Sequence, residues 1–324
     1  MNSGEEILVS VIIPNYNHGK YLRQRLTSVL QQSFQNFEII ILDDHSTDDS
    51  ILIIEEFRND QKISTILVSK ENSGSPFIQW NKGIAQAKGK WIWIAESDDW
   101  CELNFLEELM SNMDDSISLA FCQSIVINQN EKAIWQTKWR KEKELLDGKA
   151  FISQFLLKGN YIVNASMCIF QKKFYDRVSA EFTQYKFIGD WILWLELSSY
   201  GNVFISGKQL NYFRKHDRDV SGKAFSEGLG YYEYFSFIEK KGEKNLIPSS
   251  ERINIYKQRF YEFLNDHRID AIHRKNIFSL FRSKLSLMTF YFLLKNWIVK
   301  NVKSPIRRLI SPRKINNGHF SPIN

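Results

Sequence analysis

The sequence predicts an α/β chain with a mostly parallel central sheet, helices on both of its faces, and a helical C-terminal extension. Three observations lead there. Strand-like and helix-like segments alternate through the first 130 residues. The strand-like segments are apolar throughout instead of alternating, as expected where both faces of a parallel sheet are covered. The segment after almost every strand is polar, and two of these segments are acidic pairs.

Ile7–Ile13 is a continuous apolar, β-branched run that ends at Pro14. Tyr21–Gln32 reads as an amphipathic helix with Leu22, Leu26, Val29 and Leu30 on one face. Phe37–Leu42 is a second buried strand, stopped by Asp43, Asp44, His45 and Ser46. Asp48–Phe57 is a helix with acidic residues at its start, where the macrodipole favours them. Ile63–Val68, Trp91–Ala95 and Leu119–Ile127 read as strands, and Phe77–Ala87 and Leu103–Met113 as helices. Beyond residue 130 the alternation weakens. A helix is expected over Gly148–Leu157, a strand over Ala165–Phe170, a helix over Asp190–Tyr200, and two strands, Val203–Ser206 and Leu210–Phe213. Two further helices, Glu227–Lys241 and Ser250–His267, complete the body.

A length of 324 residues allows about two domains at roughly 150 residues each. With 43% hydrophobic and 14% aromatic residues, a mainly disordered chain is excluded; 15 Gly and 6 Pro exclude collagen-like and low-complexity classes. The net charge of +6 hides an asymmetry: residues 271–324 carry eleven basic side chains and no acidic one, leaving the first 270 residues at −5. Cys101, Cys122 and Cys168 have no metal-type spacing and read as buried reduced thiols of a cytoplasmic protein. The N-terminus lacks the pattern of a secretory signal. The longest uncharged apolar stretch of the tail, Leu285 to Leu294, is ten residues, whereas a membrane span needs about 20.

In open parallel sheets, ligands bind beyond the carboxyl ends of the strands. The pairs Asp43-Asp44 and Asp98-Asp99 follow two such strands, so both would face one crevice. Each pair fits either a divalent cation at a phosphate site, Mg²⁺ or Mn²⁺ by ligand type, or a turn that caps the next helix. Tyr16, just past the first strand, fits either a platform for a nucleobase or a cover for the sheet edge.

Taken together, Val9-Ser-Val-Ile-Ile-Pro-Asn-Tyr-Asn17 with Tyr21-Leu22 and Ser28-Val-Leu-Gln-Gln-Ser-Phe34, then Phe37-Glu-Ile-Ile-Ile-Leu-Asp-Asp-His-Ser-Thr-Asp48, then Asn81-Lys-Gly-Ile84 with Ala87-Lys-Gly-Lys-Trp-Ile92, and Ala95-Glu-Ser-Asp-Asp99, resemble the inverting glycosyltransferases of family 2, of the bacterial surface-polysaccharide type. The resemblance covers about residues 7–215. It implies the Rossmann-like GT-A fold over residues 1–220, with a nucleotide-binding part over about 1–130 and an acceptor-side part over about 131–220. A helical extension, 221–270, and a basic amphipathic tail, 271–324, would follow.

The resemblance also implies roles. Pro14 and Tyr16 would line the base pocket, with Tyr16 stacking on the base. Asp44 would accept from the ring N–H of a uridine-type nucleotide. Asp98 would lie near the ribose and metal, and Asp99 would coordinate the cation that bridges the donor diphosphate. The segment Ile188-Gly-Asp-Trp-Ile-Leu-Trp-Leu195 matches the family's acidic motif at the opening of a helix, making Asp190 the candidate base for the acceptor hydroxyl. On the residues alone, a helix cap is the favoured reading of Asp190. Arg214-Lys-His216 resembles the loop that closes over the donor, with Arg214 a phosphate partner and His216 a metal ligand; a solvated turn is the other reading. Three residues depart from the family pattern: His45 stands where Gly is frequent, Gly189 where an acidic residue is frequent, and Trp80 where Arg is common.

The implied activity is inverting, metal-dependent transfer of a sugar from a nucleotide-diphosphate donor, a UDP-sugar by the pattern, to a hydroxyl of a glycan or lipid-linked acceptor in polysaccharide synthesis. A catalytically silent nucleotide-sugar-binding scaffold of the same fold is the alternative. In the tail, Ile277–Val299 places Phe278, Phe281, Leu285, Met288, Phe292 and Ile298 among Arg282, Lys284, Lys295 and Lys300 with helical periodicity. A basic amphipathic helix with aromatics suits an anionic membrane surface, here the inner face of the cell membrane. Packing on the body or a homo-oligomer contact would use the same residues. Nucleic acid is not expected as a partner.

Overall fold

The computed structural model describes residues 6–215, 226–244 and 247–303. The chain divides into two compact units near residue 216. The first is the predicted α/β unit.

Its strands are β1 (Val9–Asn15), β2 (Phe37–Asp43), β3 (Ile63–Val68), β4 (Trp91–Ile94), β5 (Trp100–Cys101), β6 (Ile117–Asn128), β7 (Ala133–Gln136), β8 (Lys143–Leu146), β9 (Cys168–Gln171) and β10 (Asn202–Lys215). Between them lie α1 (Gly19–Leu30), α2 (Ser50–Phe57), α3 (Pro76–Gln86), α4 (Phe105–Met110), α5 (Gly148–Phe151), α6 (Lys172–Tyr175) and α7 (Gly189–Tyr200). The ten strands form one sheet whose main path runs β3-β2-β1-β4-β9-β6-β10-β5, with β7 beside β6 and β8 beside β10. With its helices, this is the GT-A architecture.

The strands β1, β2 and β4 are buried over their whole length, as their unbroken apolar character requires. The edge strand β3 is half exposed. The order 3-2-1-4 makes the chain leave β1 first to one side and then to the other, which is the topological switch point where such sheets open a crevice. The register marks the opening. The strand β1 stays paired with β2 as far as Asn15 and Asp43, but its pairing with β4 ends at Ile12 and Ile94. Pro14, which has no N–H to donate, lies in this one-sided stretch.

Three features differ from the sequence reading. The strands β5, β7 and β8 were not expected; they have two to four residues each. Two expected strands, Val203–Ser206 and Leu210–Phe213, are one strand, β10, whose pairing with β6 shifts register between Ile205 and Asn211. The expected strand from Ala165 opens with a single 3₁₀ turn, Ala165–Met167, before β9 begins.

The second unit contains α8 (Leu229–Glu243), α9 (Ser249–Asn265), α10 (Ala271–Lys284) and α11 (Leu287–Ile298). Asp270 caps α10 by accepting from the N–H of His273, and Ser286 caps α11 by accepting from the N–H of Thr289. Its core is aromatic, with Phe235, Phe260, Phe263, Phe281 and Phe290 buried. The single amphipathic helix expected over Ile277–Val299 is therefore two. Phe281 and Leu285, which belong to its expected apolar periodicity, are buried. No helix among the described residues is long and apolar enough to cross a membrane.

Candidate active site

Two adjacent loops beyond β1 and β2 are tied together by side chains. Asn15 donates from Nδ2 to Asp43 Oδ2 at 2.8 Å and to Ser46 Oγ at 3.2 Å. The N–H of Thr47 donates to Asn17 Oδ1, and the N–H of Gly19 to Asp48 Oδ2. Asn17 and His45 both have positive φ, 56° and 66°. That left-handed conformation favours glycine, which explains why a Gly is frequent where His45 stands. The zipper leaves Tyr16 outside it, exposed just past the buried Pro14.

The two members of each acidic pair face different partners, and in the first pair both are buried. Asp43 is fully buried and organises its turn, accepting from Asn15 and from the N–H of Ser46. Asp44 points toward the third strand-end loop, where its carboxylate accepts from Ser73 N–H, Ser73 Oγ–H and Gln79 Nε2–H. The Ser73 N–H reaches both carboxylate oxygens, and together these donors fix the orientation of Asp44.

In the second pair one member is buried and the other partly exposed, and two expectations change with that. Asp99, expected to hold the metal, has its carboxylate inside the protein. Oδ2 accepts from Ser166 Oγ–H at 2.7 Å and Oδ1 from the Arg214 N–H at 2.9 Å, with the Arg25 guanidinium 3.9 Å away. Burial, followed by the Asp98 charge, pushes its pKa up. Arg214, expected on the donor phosphates, is also buried. Its guanidinium lies over the Tyr21 ring at 4.6 Å and donates to the Asp98 carbonyl, Gln24 and Glu131. Both residues brace the acidic turn from within, where the main chain of β10 at Arg214, paired with β6 on one side, meets the Asp99 carboxylate. Asp98 remains partly exposed on the turn. His216 lies outside the described residues.

The sequence reading did not single out Arg25, Ser166 or Asn160 for the site, and marked Trp80 only as a departure from the family pattern. Arg25 is fully buried under the acidic turn, donating from Nε to the Glu96 carbonyl at 2.9 Å. A signal existed: Arg25 sits among Leu22, Leu26 and Val29 on the apolar face of α1, where a charge needs a reason. The antiparallel pairing of β9 with β4 brings the residues before β9 to the carboxyl end of β4. Ser166 thereby accepts from the Glu96 N–H as well as donating to Asp99. Trp80, which stands where Arg is common, donates from Nε1 to Glu96 Oε1 at 2.7 Å. Burial and the charges of Asp98 and Asp99 raise the Glu96 pKa to about 8.

Asp190 opens α7, partly buried. It accepts from Asn160 Nδ2 at 3.0 Å and from the Trp191 N–H at 2.7 Å, and burial raises its pKa to about 6. One short segment thus links the two halves of the site, with Asn160 on Asp190 and Ser166 on the acidic turn. Gly189 has no space for a side chain: a Cβ there would lie 2.6 Å from the Phe182 carbonyl and from the Phe77 ring. An acidic residue at 189 is incompatible with Phe77 in this position.

Among the described residues, no three His, Cys, Asp or Glu side chains gather to hold a metal. A Mg²⁺-type ion needs fewer, because one or two carboxylates plus substrate phosphates satisfy it. The hard, partly exposed oxygen donor of Asp98 fits that requirement. The three cysteines are free and buried, as expected.

A glycosyl transferase family 2 sequence model matches residues 10–179, just over half of the chain. The chain belongs to glycosyl transferase family 2. The match begins in β1 and takes in the acidic turn and Ser166; Asp190 lies beyond it. Glycosyltransferase GlyG of Streptococcus pneumoniae serotype 4 is 40% identical over 108 residues, 33% of this chain and 36% of that protein. The poly(ribitol-phosphate) beta-N-acetylglucosaminyltransferase TarS of Staphylococcus aureus is 34% identical over 110 residues, 33% of this chain and 19% of TarS. These matches therefore span about a third or less of the relatives' length. Among solved structures, S. aureus TarS 1–349 in complex with UDP-GlcNAc superposes with a TM-score of 0.56 at 19% identity, covering 93% of this chain and 77% of that one. The mannosyltransferase PcManGT of Pyrobaculum calidifontis, in complex with GDP-Man and Mn²⁺, gives 0.56 at 12% identity, covering 94% and 84%. At these identities the likeness establishes the fold of this family 2 chain.

Proposed function

We propose that this chain is an inverting, metal-dependent glycosyltransferase that moves a sugar from a UDP-sugar to a hydroxyl of a glycan or lipid-linked acceptor in polysaccharide synthesis. The observation that carries the reading is the placement of two carboxylates of different character on one braced framework. Asp98 is partly exposed at the crevice of the switch point, and Asp190 is partly buried at a helix start, joined to the acidic turn through 160–166.

Tyr16 stacks on the base, and Asp44, oriented by Ser73 and Gln79, accepts from the uracil ring N–H. Asp98, in the role first given to Asp99, would hold the divalent cation; Asp99 keeps the turn in shape. When bound, a divalent cation such as Mn²⁺ or Mg²⁺ would supply positive charge against the leaving diphosphate. Asp190 takes the proton of the acceptor hydroxyl while that oxygen bonds to the anomeric carbon. The bond from the anomeric carbon to the phosphate oxygen breaks on the opposite face, and its electron pair leaves with UDP. In the free protein Asp190 loses its proton near pH 6, so it is ionised at neutral pH and only weakly basic in water. The basic C-terminal segment, 271–324, holds the enzyme on an anionic membrane surface.

Support comes from TarS and PcManGT, whose complexes contain UDP-GlcNAc and GDP-Man with Mn²⁺ on the same fold. The test is a panel of UDP- and GDP-sugars with Mn²⁺ and glycan or lipid-linked acceptors, reading released nucleoside diphosphate and the anomeric configuration of the product. Expected are turnover with a UDP-sugar and a configuration opposite to the donor's. Use of GDP-sugars alone, or a retained configuration, contradicts the reading.

A further inference from the structure

We infer that the outward face of α11 is a membrane-inserting surface, which seats the helix in the plane of an anionic phospholipid leaflet. The inference rests on the assignment of the basic segment to such a leaflet, and narrows it to one helix face.

The helix buries only one side. Phe290 packs on Phe260 and Phe278, with ring centroids 4.8 and 5.0 Å apart. Trp297 donates to Asn265 Oδ1 at 2.9 Å, and Lys300 to the Tyr261 hydroxyl at 2.9 Å. The opposite face carries Leu287, Met288, Tyr291 and Phe292, which are 59, 82, 56 and 62% exposed. Their spacing of one, three and four residues makes one stripe. Single exposed apolar residues need no explanation, but four large ones side by side on one helix do.

Charge decides what covers them. Lys295 is exposed on the same helix, Arg282 is exposed just before it, and no acidic residue occurs from 271 onward. A two-fold contact between copies would be self-complementary, so it would bring these like charges together. Anionic headgroups pair with them instead, while the apolar stripe enters the acyl boundary. Twelve residues at 1.5 Å per residue give a helix of about 18 Å, far short of the roughly 30 Å hydrocarbon core, so α11 lies flat. Of the stripe, Tyr291 meets the Phe290 ring edge-on with centroids 5.7 Å apart, whereas Met288 and Phe292 are the most exposed, so these two can be changed without loss of the fold.

The experiment is flotation of the full chain with vesicles of phosphatidylglycerol and phosphatidylcholine, or of phosphatidylcholine alone. Three proteins are compared: wild type, the stripe variant Met288→Asp/Phe292→Asp, and the charge variant Arg282→Gln/Lys295→Gln/Arg307→Gln/Arg308→Gln. Circular dichroism and UDP-sugar turnover with a soluble acceptor check each fold. Wild type is expected to float with the anionic vesicles only, and both variants to lose at least tenfold in partitioning with fold and turnover intact. Full binding by the stripe variant alongside loss by the charge variant overturns the insertion and leaves the electrostatic assignment standing. No flotation of wild type overturns both. A wild-type dimer made monomeric by the stripe variant, without flotation, assigns the face to a second copy and also overturns the inference.

Discussion

Asp190→Asn lowers sugar transfer by about 10³-fold while leaving donor binding within a factor of two, as expected for loss of a general base. The amide keeps the shape of the side chain and can still accept from the Trp191 N–H, so the helix start persists. Wild-type turnover with donor saturating should fall tenfold per pH unit below a midpoint near 6, because only the ionised form takes the proton. The stability consequence has a definite sign. The folded-state pKa lies above the ordinary value of 3.8, so the folded protein holds the proton longer than the unfolded chain. The stability contribution of Asp190 thus declines as pH rises from about 4 to about 6. Asp190→Asn removes this decline, and its thermal midpoint should exceed that of wild type at pH 8 and meet it near pH 4. Scanning calorimetry at the two pH values, beside initial-rate assays, checks both parts. Undiminished transfer removes Asp190 from the role of base.

The second large effect separates the adjacent carboxylates of the acidic turn. Asp98→Ala should lower Mn²⁺-dependent transfer by about 10²-fold or more, with little change in thermal midpoint, because its carboxylate is partly exposed. Asp99→Ala should act mainly on stability. It leaves the Ser166 hydroxyl, the Arg214 N–H and the Arg25 charge without their buried acceptor. Losing one partner of a buried charge pair costs about 3–5 kcal/mol, which lowers the midpoint by about 10 °C in a unit of this size. A midpoint unchanged in Asp99→Ala, together with lost Mn²⁺ dependence, would return the metal to Asp99.

The sequence made the central sheet legible where burial left no ambiguity. The strands β1, β2 and β4 are apolar along their whole length, and the polar residues after them fall at the crevice. Shorter strands such as β5 have too few residues to carry a period, and β10 reads as two because its register shifts within a polar stretch. In the site, Asp44, Asp98 and Asp190 were reached through motifs. Their supports were not, because a hydrogen bond from Ser166 to Asp99 crosses 67 residues and leaves no local pattern. The inner or outer direction of each carboxylate was likewise invisible. Adjacent Asp98 and Asp99 differ only in what β9 and β10 bring beside them. In the tail, the apolar positions were legible, but not which of them pack inside the second unit. Phe281 and Leu285 serve the core of the second unit, and only the residues beyond the Ser286 cap leave a free stripe.

Binding of nucleoside diphosphate with a divalent cation at the switch-point crevice is the step on which every assigned role depends. Calorimetric titration of UDP into the full chain, with Mn²⁺ and again with chelator, measures it directly. Saturable one-to-one binding with Mn²⁺, weakened at least tenfold by chelator and by replacing UDP with GDP, is the expected result. Absence of UDP binding with Mn²⁺ present, or equal binding of UDP with and without the metal, would contradict it.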